Sequence, residues 1–223
     1  MENYYVERNI DRSYYLTSAD QSSRLSEIMN LMPAFQVGQI KEYKYTDTYF
    51  ETPEYFLKEL NATVRVRKTP EKQTLSIVCN ELNERREFEM DMDYNSSIND
   101  KEEYIFFLED KIQYIYTHRL DVDIVRVLKH LKPFLVMTTT RKAHEILTSK
   151  EFRGEVDFDR THIETKRNVD DVYIVKFKNK CFLNNENEQT FNRFVKEFEK
   201  RTILIPMNEK KLDAGMRVVH REW

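Results

Sequence analysis

Ala62-Thr63-Val64-Arg65-Val66-Arg67-Lys68 is the stretch on which the reading of this chain turns. Side chains of a β-strand alternate between its two faces, so Thr63, Arg65 and Arg67 share one face while Ala62, Val64 and Val66 share the other. Two guanidinium groups held side by side on one face suit bidentate contacts to an oxyanion such as phosphate.

The same alternation recurs along the chain. In residues 85–92, Arg85, Glu87, Glu89 and Asp91 alternate with Phe88, Met90 and Met92. In residues 154–160, Glu155, Asp157 and Asp159 oppose Val156 and Phe158, and in residues 172–178, Lys176 and Lys178 oppose Tyr173, Val175 and Phe177. A further strand over residues 137–146 puts Arg141 and Lys142 on opposite faces. Charged strand faces of both signs follow, and they admit two arrangements. Each could face solvent, as on any antiparallel sheet with one side on a core. Alternatively they line the bore of a closed barrel, with apolar faces covered by helices and opposite charges compensating one another inside. The alternation alone fits both.

Helical periodicity supplies the covering elements. Leu25, Ile28, Met29 and Met32 share one face of a helix that Ser18 or Ser22 can cap and Pro33 ends. Residues 100–131 hold two such patterns, Ile105, Leu108, Ile112 and Ile115, then Ile124, Val125, Leu128 and Leu131, closed by Pro133. Phe191, Phe194, Val195 and Phe198 mark an amphipathic helix over residues 188–201 whose aromatic stripe reads as core packing. The expected fold class is α+β, an antiparallel β-barrel with helices packed outside, and with no repeat or linker visible, residues 1–223 are expected to form one domain.

Composition narrows the function. Lys and Arg total 36 against 39 Asp and Glu, a formal net charge of -3, which argues against a general nucleic-acid or membrane-surface binder. Only 3 glycines occur, so glycine-rich phosphate loops cannot be built and side chains must hold any phosphate. Cys79 and Cys181 lack metal-ligand spacing and read as reduced thiols. The five histidines show no ligand spacing either. The polar stretch at residues 1–12 does not read as a signal peptide, and no apolar run approaches bilayer length, so a cytoplasmic location is expected.

Asp47-Thr48-Tyr49-Phe50-Glu51-Thr52-Pro53, followed by the strand carrying Arg65 and Arg67, resembles the paired "YFDTP" and "LRxR" motifs of the CYTH domain, of the triphosphate tunnel metalloenzyme superfamily. Val6-Glu7-Arg8-Asn9-Ile10 is similar to that family's opening strand, which reads "VERKF" in thiamine triphosphatases and "YERKY" in polyphosphate polymerases of the VTC type. Thr140-Arg141-Lys142 and Gly154-Glu155-Val156-Asp157-Phe158-Asp159 resemble its basic strand and a strand ending in aspartate. Residues 172–178 resemble the VTC-type "LEVKY" strand, and Asn208-Glu209-Lys210-Lys211-Leu212 ahead of Gly215 stands where the family has "SKY…G".

The resemblance implies a phosphate-chain ligand: inorganic triphosphate, polyphosphate, a nucleoside triphosphate, thiamine triphosphate or an RNA 5′ end. It implies Mg²⁺ or Mn²⁺ held by carboxylates and bridging phosphate oxygens. Carried over by position, Glu7, Glu87 and Glu89 would act in catalysis, with Glu7, Glu89 and Asp159 as metal ligands. Arg65, Arg67, Arg141, Lys176, Lys178 and Lys211 would bind substrate. The implied activity is a metal-dependent triphosphatase, or polyphosphate synthesis through the VTC-like part. Departures weigh against an intact metal site. The family's first strand carries two alternating glutamates and a lysine where this chain has Tyr5, Glu7 and Asn9, Ile174 stands where an acidic ligand is expected, and residues 73–80 lack a phosphate-binding lysine. A protein that keeps the basic face and binds phosphate without catalysis, or one that uses the fold to bind a partner, therefore stands beside the enzymatic reading.

Overall fold

The computed structural model describes residues 3–6, 11–81, 84–116, 123–148, 152–164, 169–181, 184–207 and 211–220. These residues form an α+β fold of antiparallel strands and helices that divides into two compact units, residues 1–7 with 45–137, and residues 8–44 with 138–223. The strand order has two ends, so among the described residues the hydrogen-bonded ladder is that of an open sheet and does not include the closure of the expected barrel.

In the first unit the strand order is β1 (Asn3–Val6), β6 (Glu84–Met92), β5 (Gln73–Glu81), β4 (Ala62–Lys68) and the C-terminal part of β3 (Gln36–Glu51). Val64, Leu75 and Ile77 are fully buried on one face, against Ile105, Leu108 and Ile112 of α3 (Glu102–Tyr116) and Leu128 of α4 (Ile124–Leu128). Each such side chain contributes roughly 1.5–3 kcal/mol by leaving water. Asp123 caps α4 by accepting a hydrogen bond from the Arg126 amide at 3.0 Å. The helix stops at Leu128, short of the expected Pro133, because residues from Lys132 onward belong to a strand; Pro133, near the start of that strand, sits where a missing donor is tolerated.

The "YFETP" segment ends in a turn that builds its own caps. Glu51 Oε1 accepts from the amides of Thr52 and Leu57, its Oε2 accepts from Lys58, and Thr52 Oγ1 accepts from Phe56. These bonds satisfy the amides opening the short helix α2 (Phe56–Glu59). Asn61 then adopts a positive φ of 52°, a conformation asparagine tolerates, as the chain turns into β4.

In the second unit the order is β7 (Lys132–Leu147), β8 (Arg153–Glu164), β9 (Val169–Asn179), β2 (Arg12–Leu16) and β10 (Ile205–Pro206). Its core is aromatic. Phe177 of β9 meets Phe194 and Phe198 of α5 (Asn185–Glu199) at ring separations of 5.9 and 5.1 Å, and α1 (Ala19–Asn30) adds Leu25 and Met29. Tyr14 of β2 donates its hydroxyl to Glu199 of α5 at 2.7 Å, and burial with that carboxylate pushes its pKa up to about 12. The helix α6 (Lys211–His220) and the strand β2 had no sequence counterpart in the reading above.

Candidate anion-binding faces

The apolar side of each unit's sheet is occupied by helices, so the charged alternates lie on the other side, where they are largely withdrawn from water. In the first unit, Asp47 stands directly across the ladder from Arg67. The fork of Arg67 donates to both oxygens of Asp47 at 2.7 and 2.9 Å, and the guanidinium stacks over the Tyr45 ring at 4.2 Å. Asp47 is fully buried, and its charge holds Arg67 protonated against the cost of burial.

Arg65 reaches farther. Its ladder neighbour on β5 is Ser76, whose own neighbour on β6 is Glu89. Because Ser76 is small, the guanidinium lies across β5, donating Nε to Ser76 Oγ at 3.1 Å and Nη2 to Glu87 at 2.8 Å, with Glu89 at 3.6 Å. The side chains of Arg65 and Glu87 are only 13% and 15% exposed, which separates this face from an ordinary solvated sheet surface. Tyr49, opposite Arg65, is buried on the same face, and burial holds its hydroxyl protonated.

The second unit arranges the same groups differently. Arg141 of β7 grips Asp159 of β8 through two bonds of 2.6 and 2.7 Å, and its Nη1 lies 2.9 Å from Asp157. Lys178 of β9 donates to Glu155, its ladder partner, at 2.8 Å and lies 2.6 Å from the same Asp157 oxygen that Arg141 approaches. Two cations thus crowd one carboxylate. Asp157 is fully buried, and the contacts are of charge rather than aligned hydrogen bonds. Burial pushes the Asp157 pKa up despite both cations, while Lys178, opposed by burial, is held above the usual lysine range by Asp157 and Glu155.

Lys176 lies between these pairs, half-buried and directly opposite Asp157 in the ladder. Among the described residues no carboxylate oxygen comes within the 4.0 Å of an ion pair with its ammonium. Burial lowers its pKa; the charge of Asp159 opposes that most strongly, Arg141 and Lys178 lower it further, and Asp157 opposes them. Ile174, the next residue on that face, is fully buried opposite Asp159.

The expected site residues therefore fall into two sets. Arg65, Arg67, Glu87 and Glu89 come together in the first unit, and Arg141, Asp159, Lys176 and Lys178 in the second. Glu7 lies outside the described residues, and Lys211 is the first residue of α6, its side chain likewise outside them. Asp47, Glu155 and Asp157 were not singled out from the sequence as site residues. They share the alternation of Asp159 and the motif of Tyr49, so the period of two was the signal available for them.

Among the described residues, the carboxylates of the two charged faces do not fit a divalent metal. Among the described residues no three His, Cys, Asp or Glu side chains group as a metal would require. Asp47 and Asp159 give both oxygens to an arginine, Asp157 and Glu155 are engaged by Lys178, and Glu87 is bonded to Arg65. Glu89, at 3.6 Å from Arg65, is the least engaged of the six.

No curated protein matches the chain by sequence. Among solved structures, a candidate adenylyl cyclase from Hippeastrum with a dominant triphosphatase activity superposes with a TM-score of 0.58 at 14% identity, covering 94% of this chain and 95% of that one. A candidate adenylate cyclase from Bacillus halodurans gives 0.55 at 17% identity over 95% and 97%, and the PH1819 protein from Pyrococcus horikoshii OT3 gives 0.51 at 13% over 94% and 98%. At such identities the likeness is one of fold. The profile of the CYTH domain matches residues 14–211, taking in residues of both units and both charged faces. On that match, the chain belongs to the CYTH domain family.

Proposed function

We propose that this CYTH domain binds a linear phosphate chain, a triphosphate or polyphosphate, through basic side chains on its strand faces. The observation that carries the reading is Lys176, a half-buried cation with no carboxylate in ion-pair range among the described residues, flanked by Arg141 and Lys178. Keeping an ammonium away from water without a counter-ion is costly, and an incoming anion removes that cost. Arg141 and Lys178 need no reorganisation to assist, because Asp159 and Glu155 already hold them in place. Arg65 and Arg67 present a second basic pair in the other unit, each anchored by a carboxylate. We also propose that residues 1–223 act as one domain, since the family profile runs through both units and β3 and β7 each supply residues to both.

Hydrolysis is a second reading, favoured by the triphosphatase activity of the Hippeastrum neighbour. In this chain the arginines and lysines would offset charge building on the transferred phosphoryl group, and Glu89, the least engaged carboxylate, would orient the attacking water. Isothermal titration and phosphate release, run across tripolyphosphate, polyphosphate, ATP and 5′-triphosphate RNA, separate the two readings. Binding of at least one of these at micromolar concentration is expected. Absence of binding to all four refutes the proposal, and turnover of any of them promotes the hydrolytic reading.

A further inference from the structure

Resting on that reading, we infer that the ligand is the metal-free phosphate chain and that divalent metal opposes its binding. A chain bridged by Mg²⁺ needs protein carboxylate oxygens, or waters held by them, to receive the metal. On the second unit's face the carboxylates are already engaged by cations, although Asp157 Oδ1 is buried without a hydrogen-bond partner among the described residues. Both Asp159 oxygens accept from Arg141, Asp157 sits beneath Arg141 and Lys178, and Glu155 accepts from Lys178 at 2.8 Å with Lys180 at 3.5 Å. Recruiting any of them to a metal would take one of two carboxylate partners from Arg141 or Lys178, which is unfavourable for a largely buried cation.

Three cations, Arg141, Lys176 and Lys178, share this face with three carboxylates, and Lys176 is the cation that forms no ion pair with them. Lys176 points from the same side of β9 as Lys178, and the strand position between Lys176 and the β8 aspartate next along is closed by the apolar Ile174. A free tripolyphosphate carries more negative charge than its Mg²⁺ complex, so it gains more from Lys176 and its two neighbours. Complexation in solution also lowers the concentration of the form the face accepts. The sign of the metal effect is thus the reverse of that at a metal-bridged site.

The test is isothermal titration of tripolyphosphate into the full chain at constant ionic strength, once with EDTA and once with excess Mg²⁺. Binding several-fold tighter in EDTA than in excess Mg²⁺ is expected, and equal affinity in the two buffers counts against the inference. Binding that requires Mg²⁺, or is tightened by it, overturns the inference and leaves phosphate binding itself standing. Absence of binding in both buffers removes the underlying reading as well. Lys176→Met should weaken binding in EDTA at least tenfold, whereas Lys142→Met, on the exposed opposite face beside Glu42, should leave it unchanged. Equal loss in both variants counts against a site at Lys176. The comparison of buffers on the unmodified chain stands whether or not either variant folds.

Discussion

The charged faces of the two units are made of the same residue types and behave differently. In the first, Arg65 and Arg67 face Asp47, Glu87 and Glu89, so each cation has a carboxylate partner and the acidic groups are in excess. In the second, Arg141 and Lys178 draw on Asp157, Asp159 and Glu155, and Lys176 has no carboxylate in ion-pair range among the described residues. Ladder position accounts for the difference. Asp47 lies directly opposite Arg67, whereas Lys176 lies opposite an aspartate already claimed from both sides. Similar composition on a strand face therefore does not imply similar availability to a ligand.

The largest expected effect breaks the first face. Asp47→Ala leaves the Arg67 guanidinium without its bidentate partner, and because Arg67 keeps about a third of its exposure the loss should fall near the low end for a buried pair, about 2–3 kcal/mol in urea unfolding. Replacing both, Asp47→Ala with Arg67→Met, should recover most of that loss, since no charge is then stranded. A double variant as unstable as the single one would show that the pair is not the source of the effect.

Arg65→Ala sharpens the comparison. It severs the bonds to Ser76 and Glu87 and should cost about 1–2 kcal/mol, yet it should reduce tripolyphosphate affinity less than Lys176→Met does. The opposite ranking in calorimetry would move the principal anion site to the first unit. Smaller again is the capping of α5, the helix that backs β9. Asn184 Oδ1 accepts from the Asn187 amide at 2.8 Å, and Asn184→Ala should lower thermal stability by about 1 kcal/mol with no change in ligand affinity.

The smallest effect is one of pH. His144 is buried in the second unit against Phe158, and burial depresses its pKa below the ordinary 6.5. A depressed histidine binds fewer protons folded than unfolded, so its contribution to stability is present above the unfolded pKa and is lost as pH falls below about 6.5. Urea midpoints measured from pH 8 to 5 should decline, and His144→Phe should flatten that decline. An unchanged slope would assign it to other groups.

Much of the framework could be read from single segments. The alternation at Ala62–Lys68 put Arg65 and Arg67 on one face, the Phe191, Phe194, Val195 and Phe198 stripe marked α5, and Leu25 and Met29 marked the buried face of α1. The strand β2 was not legible, because Arg12-Ser13-Tyr14-Tyr15-Leu16 has no clear alternation until Tyr14 and Leu16 meet the core beside β9. The turn chemistry of Glu51 and Thr52 was likewise hidden, since capping depends on where the chain goes next.

By itself the sequence determined which side chains share a strand face, and it excluded glycine-built phosphate loops, because both follow from local geometry and residue identity. Only the tertiary structure decided which charges neutralise one another. Arg141 meets Asp159 and Lys178 meets Glu155 through ladder register, and the strength of an ion pair falls with distances that no single segment specifies. Lys176 became the candidate anion receptor for that reason alone: its neighbours' partners were assigned by the packing of β7, β8 and β9.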